Sequence, residues 1–234
     1  MTPILLLFFG IAPATAIGTD LWFAAITKIF AGKVHQKEGL IDWVIVKRLW
    51  FGSLPMTAIT ILMMKYNWIN LDTNFLKNLI AVLVLFTAIG IIIQKYLNAI
   101  AKNFRIQNEQ AFKKIQLPLT VFAGSLLGFT VSLTSIGAGA LGAVFLTYLY
   151  PLRLTPSRLI ATDIVHAIPL AIFAGLGHLI IGHVDFKLLL YLLIGSIPFV
   201  YLGAKLSGKL PGFILRLALA GILAIVSIKI FISI

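Results

Sequence analysis

The chain has 234 residues, of which 60% are hydrophobic and 11% are charged, and it contains no cysteine. Soluble domains carry about 25% charged residues, so lipid rather than water must surround much of this chain, and a disulfide framework or cysteine-ligated metal site is excluded. The formal net charge is +12, but the basic residues lie in short connectors between apolar stretches, which is typical of membrane orientation and argues against nucleic-acid binding.

The first residues, TPILLLFFGI followed by APATA, have the appearance of a secretory signal peptide. A signal peptide begins with basic residues, however, and no lysine or arginine precedes this apolar run. An internal repeat, described below, gives the stretch another interpretation.

Six further apolar stretches approach the roughly 20 residues that a membrane-spanning helix needs. They are 13–32, 42–64, 75–97, 156–181, 186–204 and 211–233. The stretch 118–150 is longer and is interrupted at TSIGAG (134–139). It is either one span followed by a surface helix, or two half-helices that meet within the membrane and return to the same side.

The distribution of positive charge favours the hairpin. The connector 95–116 is basic, and we place it in the cytoplasm. A hairpin keeps a further group of basic residues on that side, whereas a single crossing puts them outside; these are Arg153, Arg158, Lys205, Lys209 and Arg216.

The chain contains an internal duplication. When residues 11–55 are aligned without gaps with residues 154–198, sixteen positions are identical. The most informative pairs are Pro13/Pro156, Thr19/Thr162, Asp20/Asp163, Gly32/Gly175, His35/His178, Gly39/Gly182, Asp42/Asp185, Gly52/Gly195, Ser53/Ser196 and Pro55/Pro198. Internal repeats of this kind are common in secondary transporters.

The duplication predicts an all-α polytopic membrane protein made of two repeats. The first repeat is 1–97, a basic cytoplasmic linker is 98–117, and the second repeat is 118–234. Each has three crossing helices and a broken helix or hairpin, and the first copy is expected to lack its N-terminal broken segment. Because three is an odd number, the two copies are predicted to have inverted topology.

The glycine-rich interruption is the first candidate binding site. Glycine lets the backbone leave helical geometry and approach a ligand, and the start of the second half-helix would offer N–H groups to an anion. The candidate residues are Thr134, Ser135, Gly137 and Gly139. The alternative is a small-residue packing face between helices.

Two aspartates within predicted spans, Asp20 and Asp163, follow Thr19 and Thr162 and join them as candidates for substrate binding. A charge inside the membrane costs roughly 2.5–3.5 kcal/mol on insertion scales and therefore suggests function. The carboxylates could carry protons or receive cations. They could instead accept hydrogen bonds from the broken backbone, which is the role that we favour.

The other polar residues are interpreted as structural. Asp42 and Asp185 are predicted to cap helices, and His35 and His178 are predicted to lie in connectors at the interface. No histidine pair has ligand spacing on one helix face, so neither metal nor cofactor is expected. Lys28 could attract an anion or extend to the cytoplasmic surface. No P-loop, GxSxG or HExxH motif supports an enzyme.

The chain resembles the sulfite exporter TauE/SafE family of bacterial inner-membrane permeases over nearly its whole length. The resemblance is carried by IGTDLWFAAITKIFAGKVHQKEGLIDW (17–43) with GSLP (52–55), and by LGFTVSLTSIGAGALGAVFLTYLYP (127–151) with IATDIVHAIPLAIFAGLGHLIIGHVDF (160–186). Family members usually begin with a glycine-rich broken segment ahead of the position that is Met1 here. The stretch 135–140 also has one glycine fewer than the richest form.

The resemblance implies multi-pass secondary transport of a small anion such as sulfite or an organosulfonate across the bacterial inner membrane. The partners expected are that solute and the lipid bilayer, with no nucleic acid; a homo-oligomer is left open. The alternative is a truncated or accessory membrane protein that does not transport. A membrane enzyme is third, because four scattered histidines and seven acidic residues assemble no catalytic set.

Overall fold

A computed structural model describes the backbone of the chain except residues 70–71, 108, 138, 208–211 and 233–234. Side chains are described except at these positions and at 34, 95, 104–111, 197–219 and 231–232. Several residues used above therefore lie outside the described residues: Ala138, and the side chains of Lys95, Pro198, Lys205, Lys209 and Arg216.

The described residues form helices and no strand. The helices are α1 (Thr2–Phe9), α2 (Pro13–Lys37), α3 (Trp43–Lys65), α4 (Thr73–Gln107), α5 (Glu109–Thr134), α6 (Ala140–Leu149), α7 (Pro156–Ile181), α8 (Phe186–Ser207) and α9 (Gly212–Ile232). The residues predicted as a linker, 98–117, are helical where described and are divided between the end of α4 and the start of α5.

Within the part of the chain that the structure describes, four segments are long and apolar enough to cross a membrane: Trp43–Lys65, Thr73–Gln94, Phe112–Thr134 and Pro156–Ile181. The all-α membrane architecture is therefore confirmed. The predicted span 13–32 forms most of α2 but falls short on hydropathy, because Asp20 and Lys28 lie within it. The predicted spans 186–204 and 211–233 coincide with α8 and α9, whose side chains are only partly described.

Local sequence signals account for the helix ends. The Asp42 carboxylate accepts the Ile45 N–H (3.3 Å) at the start of α3, and Asp185 accepts the Leu188 N–H (2.9 Å) at the start of α8. Gly182 ends α7 with a φ of 89°, a left-handed conformation that favours glycine. The caps agree with the sequence interpretation. His35 and His178, predicted to lie in connectors, instead lie inside α2 and α7.

Helices α3 and α5 pack with their backbones in close contact. A Cβ at Gly52 would collide with the Val121 carbonyl, and one at Gly128 would collide with the Ser53 carbonyl. Gly124 and Gly128 form the small-xxx-small pattern GSLLG, which lets membrane helices approach each other. This contact holds α5, and therefore the interruption that follows it, against α3.

Helices α2 and α7 run antiparallel beside each other. The Trp22 indole N–H donates to the Gly175 carbonyl (3.0 Å), and a Cβ at Gly32 would meet the side chains of Val165 and Ile168. Residue numbers thus rise along one helix as they fall along the other. Both contacts use the glycine pair that the duplication relates, Gly32 and Gly175.

The chain reverses between α5 and α6. Helix α5 ends at Thr134 and α6 begins at Ala140, so the helix is interrupted where the sequence predicted. The Gln116 amide donates to the Leu149 carbonyl (2.7 Å) and the Thr120 hydroxyl contacts the Tyr150 hydroxyl (2.8 Å). The end of α6 therefore lies beside the first half of α5, so α6 folds back along α5 as the hairpin alternative predicts. Helix α5 itself, however, contains a full-length candidate span and is not the half-helix of that prediction.

Candidate functional site

A cavity of about 260 Å³ lies between α2, the interruption after α5, and α7. Its polar lining includes Asp20, Thr27 and Lys28 from α2, Ser135 from the interruption and Met1, whose amino group contacts Asp20, and Ala171 lines it from α7. The cavity therefore brings the intramembrane acid of the first half next to the glycine-rich segment of the second. Two of the predicted site residues, Asp20 and Ser135, line it.

Asp20 is buried, and one of its carboxylate oxygens accepts three hydrogen bonds. Its Oδ2 accepts hydrogen bonds from the Met1 amino group (3.0 Å), the Thr2 N–H (2.8 Å) and the Thr2 hydroxyl (2.7 Å). These donors lie at the amino end of α1, where a carboxylate is favoured by unsatisfied N–H groups and the helix dipole. The carboxylate thus has the structural partners expected of an acid that holds a short helix in place.

Asp163, the counterpart of Asp20, is buried to the same degree, with 4% of its surface exposed against 5%. It lies against Gly142 in the first turn of α6, and a Cβ there would collide with Oδ1. In contrast to Asp20, its Oδ1 has no hydrogen-bond partner among the described residues. The two carboxylates therefore occupy equivalent positions at short-helix amino ends but differ in how well they are satisfied.

The Lys28 ammonium interacts electrostatically with both Asp163 and Asp20. It is half-buried and faces the cavity. The residue that the duplication aligns with it is Ala171, which lines the same cavity. Among the described residues, the positive charge that lines this cavity therefore comes from the first half.

The interruption combines unusual backbone with a polar side chain. Ser135 has a φ of 59°, which is rare for a residue with a Cβ, and Gly137 and Gly139 have φ values of 118° and 139°. The Thr134 hydroxyl is not available to a solute, because it donates to the Thr130 carbonyl (2.6 Å) and accepts the Ile136 N–H (3.2 Å). Uncommon backbone conformations, such as the positive φ of Ser135, concentrate at functional sites.

Thr19 and Thr162 lie outside the lining of this cavity and connect the two halves. The Thr19 hydroxyl accepts the Asp185 N–H (3.1 Å), and the Thr162 hydroxyl accepts the Asp42 N–H (3.1 Å). Each threonine of one half thus binds the helix-capping aspartate of the other. The duplication aligns Thr19 with Thr162 and Asp42 with Asp185. The two hydrogen bonds are therefore equivalent, and each of them joins one copy to the other.

The two capping aspartates differ in their ion pairs. Asp42 accepts from Arg153 Nε (2.6 Å) and Nη2 (2.9 Å), and Arg158 lies 3.8 Å away. Burial alone would raise the pKa of Asp42, but the Arg153 hydrogen bonds, the Ile45 N–H and the two guanidinium charges together lower it. In the described part of the chain no basic side chain forms an ion pair with Asp185. The two capping aspartates, which the duplication relates, therefore differ in the charges around them.

The histidines are buried or partly buried, and they contact polar groups of the protein. His178 Nε2 contacts the Ser132 carbonyl (2.8 Å) just before the interruption, and His166 Nε2 contacts the Ser53 hydroxyl (3.0 Å). His35 lies 3.6 Å from Glu38, and burial lowers the pKa of His183. The described residues contain no group of three or more potential metal ligands.

The positions of Lys28 and of the Ser53–His166 pair are visible only in the fold. The sequence allows Lys28 either to attract an anion or to extend to the cytoplasmic surface, and only the fold shows that Lys28 and its counterpart Ala171 line one cavity. The Ser53–His166 contact was missed, although Ser53 is one of the repeated residues. Repetition of a polar residue inside a predicted span is the signal that could have found it.

Comparison with known proteins gives a consistent result. The family model for the sulfite exporter TauE/SafE matches residues 1–230. The chain is 34% identical over 195 residues to the probable membrane transporter protein YjnA of Bacillus subtilis (strain 168), covering 80% of this chain and 73% of that protein. No solved structure matches. The chain therefore belongs to the TauE/SafE sulfite exporter family, whose members are multi-pass membrane transporters rather than enzymes.

Proposed function

We propose that this transporter carries a small sulfur-containing anion, sulfite or an organosulfonate, across the bacterial inner membrane. The anion binds in the cavity formed by Asp20, Lys28 and Ser135. The observation that carries the proposal is the cavity itself, in which a lysine and the irregular backbone of a broken helix meet inside an otherwise apolar protein.

The size and charge of the cavity suit such a solute. Drug-sized ligands occupy pockets of about 300–1,000 Å³, so a cavity of about 260 Å³ favours a smaller molecule. The Lys28 ammonium supplies a charge-assisted donor for a sulfur oxyanion, and the Ser135 hydroxyl supplies a neutral donor. Asp20 opposes the anion less than a bare carboxylate would, because three donors already compensate it.

The roles of the other predicted site residues follow from their contacts. The carboxylate of Asp163 occupies the amino end of α6, so we assign the anion to the Lys28 side of the interruption and not to that helix end. Gly137 and Gly139 allow the backbone to turn, and Asp163 holds the short helix. Thr134, Thr19 and Thr162 contribute by fixing the elements around the cavity.

We further propose that residues 1–97 and 118–234 are two inverted repeats that enclose the passage. The antiparallel course of α2 and α7 and the exchanged Thr19–Asp185 and Thr162–Asp42 hydrogen bonds support this arrangement. A pseudo-two-fold axis between the halves produces such reciprocal contacts, and many secondary transporters bind substrate at the interface of inverted repeats. In this orientation Arg153 and Arg158 lie at the cytoplasmic face.

The test is sulfite flux in proteoliposomes containing the purified protein. Lys28→Gln should slow flux roughly 10- to 100-fold, because one charge-assisted hydrogen bond to the anion is lost. Lys33→Gln is the matched control, since Lys33 is exposed on the same helix, and its flux should equal that of the wild type. Equal rates for Lys28→Gln and the wild type would refute the assignment of the anion site to this cavity. Folded wild-type protein that moves no sulfur oxyanion would refute the proposed function.

A further inference from the structure

A second cavity, of about 430 Å³, lies between α4, α6 and α7, away from the proposed transport site. Gln94, Asn98 and Lys102 line it from one face of α4, four residues apart. Thr147 lines it from α6, and its apolar wall includes Leu159 and Ile160 from α7. The cavity is thus polar along α4 and apolar along α7.

Its position corresponds to the membrane–water interface. The apolar stretch 75–97, which forms most of the first part of α4, is followed by a basic segment. Tyr96 on α4 and Tyr148 on α6 are 68% and 41% exposed, and exposed tyrosines are enriched where lipid headgroups meet the hydrocarbon core. The polar side of the cavity therefore lies at headgroup depth.

The hydrogen-bonding groups define the ligand further. Gln94 and Thr147 are paired, with the Gln94 amide donating to the Thr147 hydroxyl (3.0 Å). The Asn98 Oδ1 atom is buried without a hydrogen-bond partner among the described residues, so it needs a donor. Lys102 adds a positive charge, and none of the residues that line the cavity is acidic. The site therefore suits an anion that also carries a hydrogen-bond donor.

We propose that this cavity binds an anionic phospholipid with a hydroxyl-bearing headgroup, of the phosphatidylglycerol type. The phosphate pairs with Lys102, a headgroup hydroxyl donates to Asn98, and an acyl chain lies along Leu159 and Ile160. Ile160 is 52% exposed, which leaves an apolar surface for the chain. Basic pockets between membrane helices on the cytoplasmic side recognise lipid headgroups in this way.

The test is native mass spectrometry of the delipidated protein after addition of equimolar phosphatidylglycerol and phosphatidylcholine with matched acyl chains. The wild type should retain phosphatidylglycerol preferentially. Lys102→Ala should lower its retention about five-fold, the effect of one basic residue near a lipid surface. Lys102→Arg should restore it, and Asn98→Leu should reduce the preference.

Lys114→Ala is the matched control, because Lys114 is an exposed lysine of α5 outside the cavity. An unaltered circular dichroism spectrum shows that each variant is folded. Equal retention of the two lipids, equal retention by Lys102→Ala and the wild type, or an equal loss in Lys114→Ala would each overturn the proposal. Displacement of the lipid by millimolar inorganic phosphate would also overturn it, because a free anion would then be the ligand.

Discussion

Replacing Asp42 by asparagine should destabilise the protein by removing its ion pairs with Arg153 and Arg158 while leaving the helix cap intact. Asparagine caps helices as well as aspartate does, so the Ile45 N–H keeps its acceptor. The main interaction lost is the bidentate contact with Arg153, at 2.6 and 2.9 Å, and the longer ion pair with Arg158, at 3.8 Å, is lost with it. The carboxylate is buried, but Arg153 is half-exposed, so solvent weakens the pair.

Hydrogen bonds to charged groups contribute about 1.5–3 kcal/mol, and the exposure of Arg153 places the expected loss near 2 kcal/mol. In a chain of this length each kcal/mol corresponds to about 2–4 °C, so the unfolding temperature should fall by about 4–8 °C. Tryptophan fluorescence during thermal unfolding in detergent measures this, since Trp43 adjoins the substituted residue.

Asp185→Asn is the matched control, because Asp185 caps α8 in the same way and is exposed. Its unfolding temperature should change by less than about 2 °C, as for surface substitutions. Equal shifts for the two variants would refute the reasoning, since the Arg153 contact would then contribute nothing.

The stabilisation by Asp42 should also depend on pH. The pKa of Asp42 in the folded protein is lowered, so its contribution is complete above the unfolded-state value, about 4. It is lost as the pH falls through the folded-state value. The difference between the wild type and Asp42→Asn should therefore be constant near neutral pH and shrink below about pH 4. A difference that grows on acidification would contradict this assignment.

Two further substitutions test the helix contact and the buried acid. Gly128→Ala should destabilise the protein by about 1–3 kcal/mol, because its Cβ would collide with the Ser53 carbonyl; Gly221→Ala, with open space around it, should be neutral in the same thermal assay. Asp163→Asn should reduce sulfite flux or the yield of folded protein more than Asp185→Asn does, and equal, negligible effects would remove Asp163 from the site.

The sequence predicted the helix interruption and the caps because both depend on neighbouring residues. TSIGAG contains glycines at 137 and 139 that adopt positive φ, and Asp42 and Asp185 precede the N–H groups that they accept by three residues. The error at His35 and His178 has a different origin in each helix. Helix α2 continues to Lys37, beyond its apolar stretch 13–32, whereas His178 lies in the last turn of α7, within the apolar stretch 156–181.

The sequence could not predict which polar groups share a cavity. Thr134 and Ser135 are neighbours with similar side chains. The Thr134 hydroxyl donates to the nearby Thr130 carbonyl, however, whereas Ser135 lines the cavity. The two residues also differ in backbone conformation, since Ser135 has a positive φ. Side-chain direction after a helix end depends on such dihedral angles, which no residue pattern specifies here.

The sequence by itself determined that this chain is a helical membrane protein built on a duplicated motif with a broken helix. Apolar length, glycine spacing and the repeated aspartates are properties of the linear chain. Only the tertiary structure decided how the two copies differ: Asp20 has three donors, Asp163 has an oxygen with no hydrogen-bond partner among the described residues, and Asp42 is paired with an arginine 111 residues away. The physical reason is that a buried charge is compensated by whichever groups the fold brings within hydrogen-bond distance, and identical residues in the two copies therefore receive different partners.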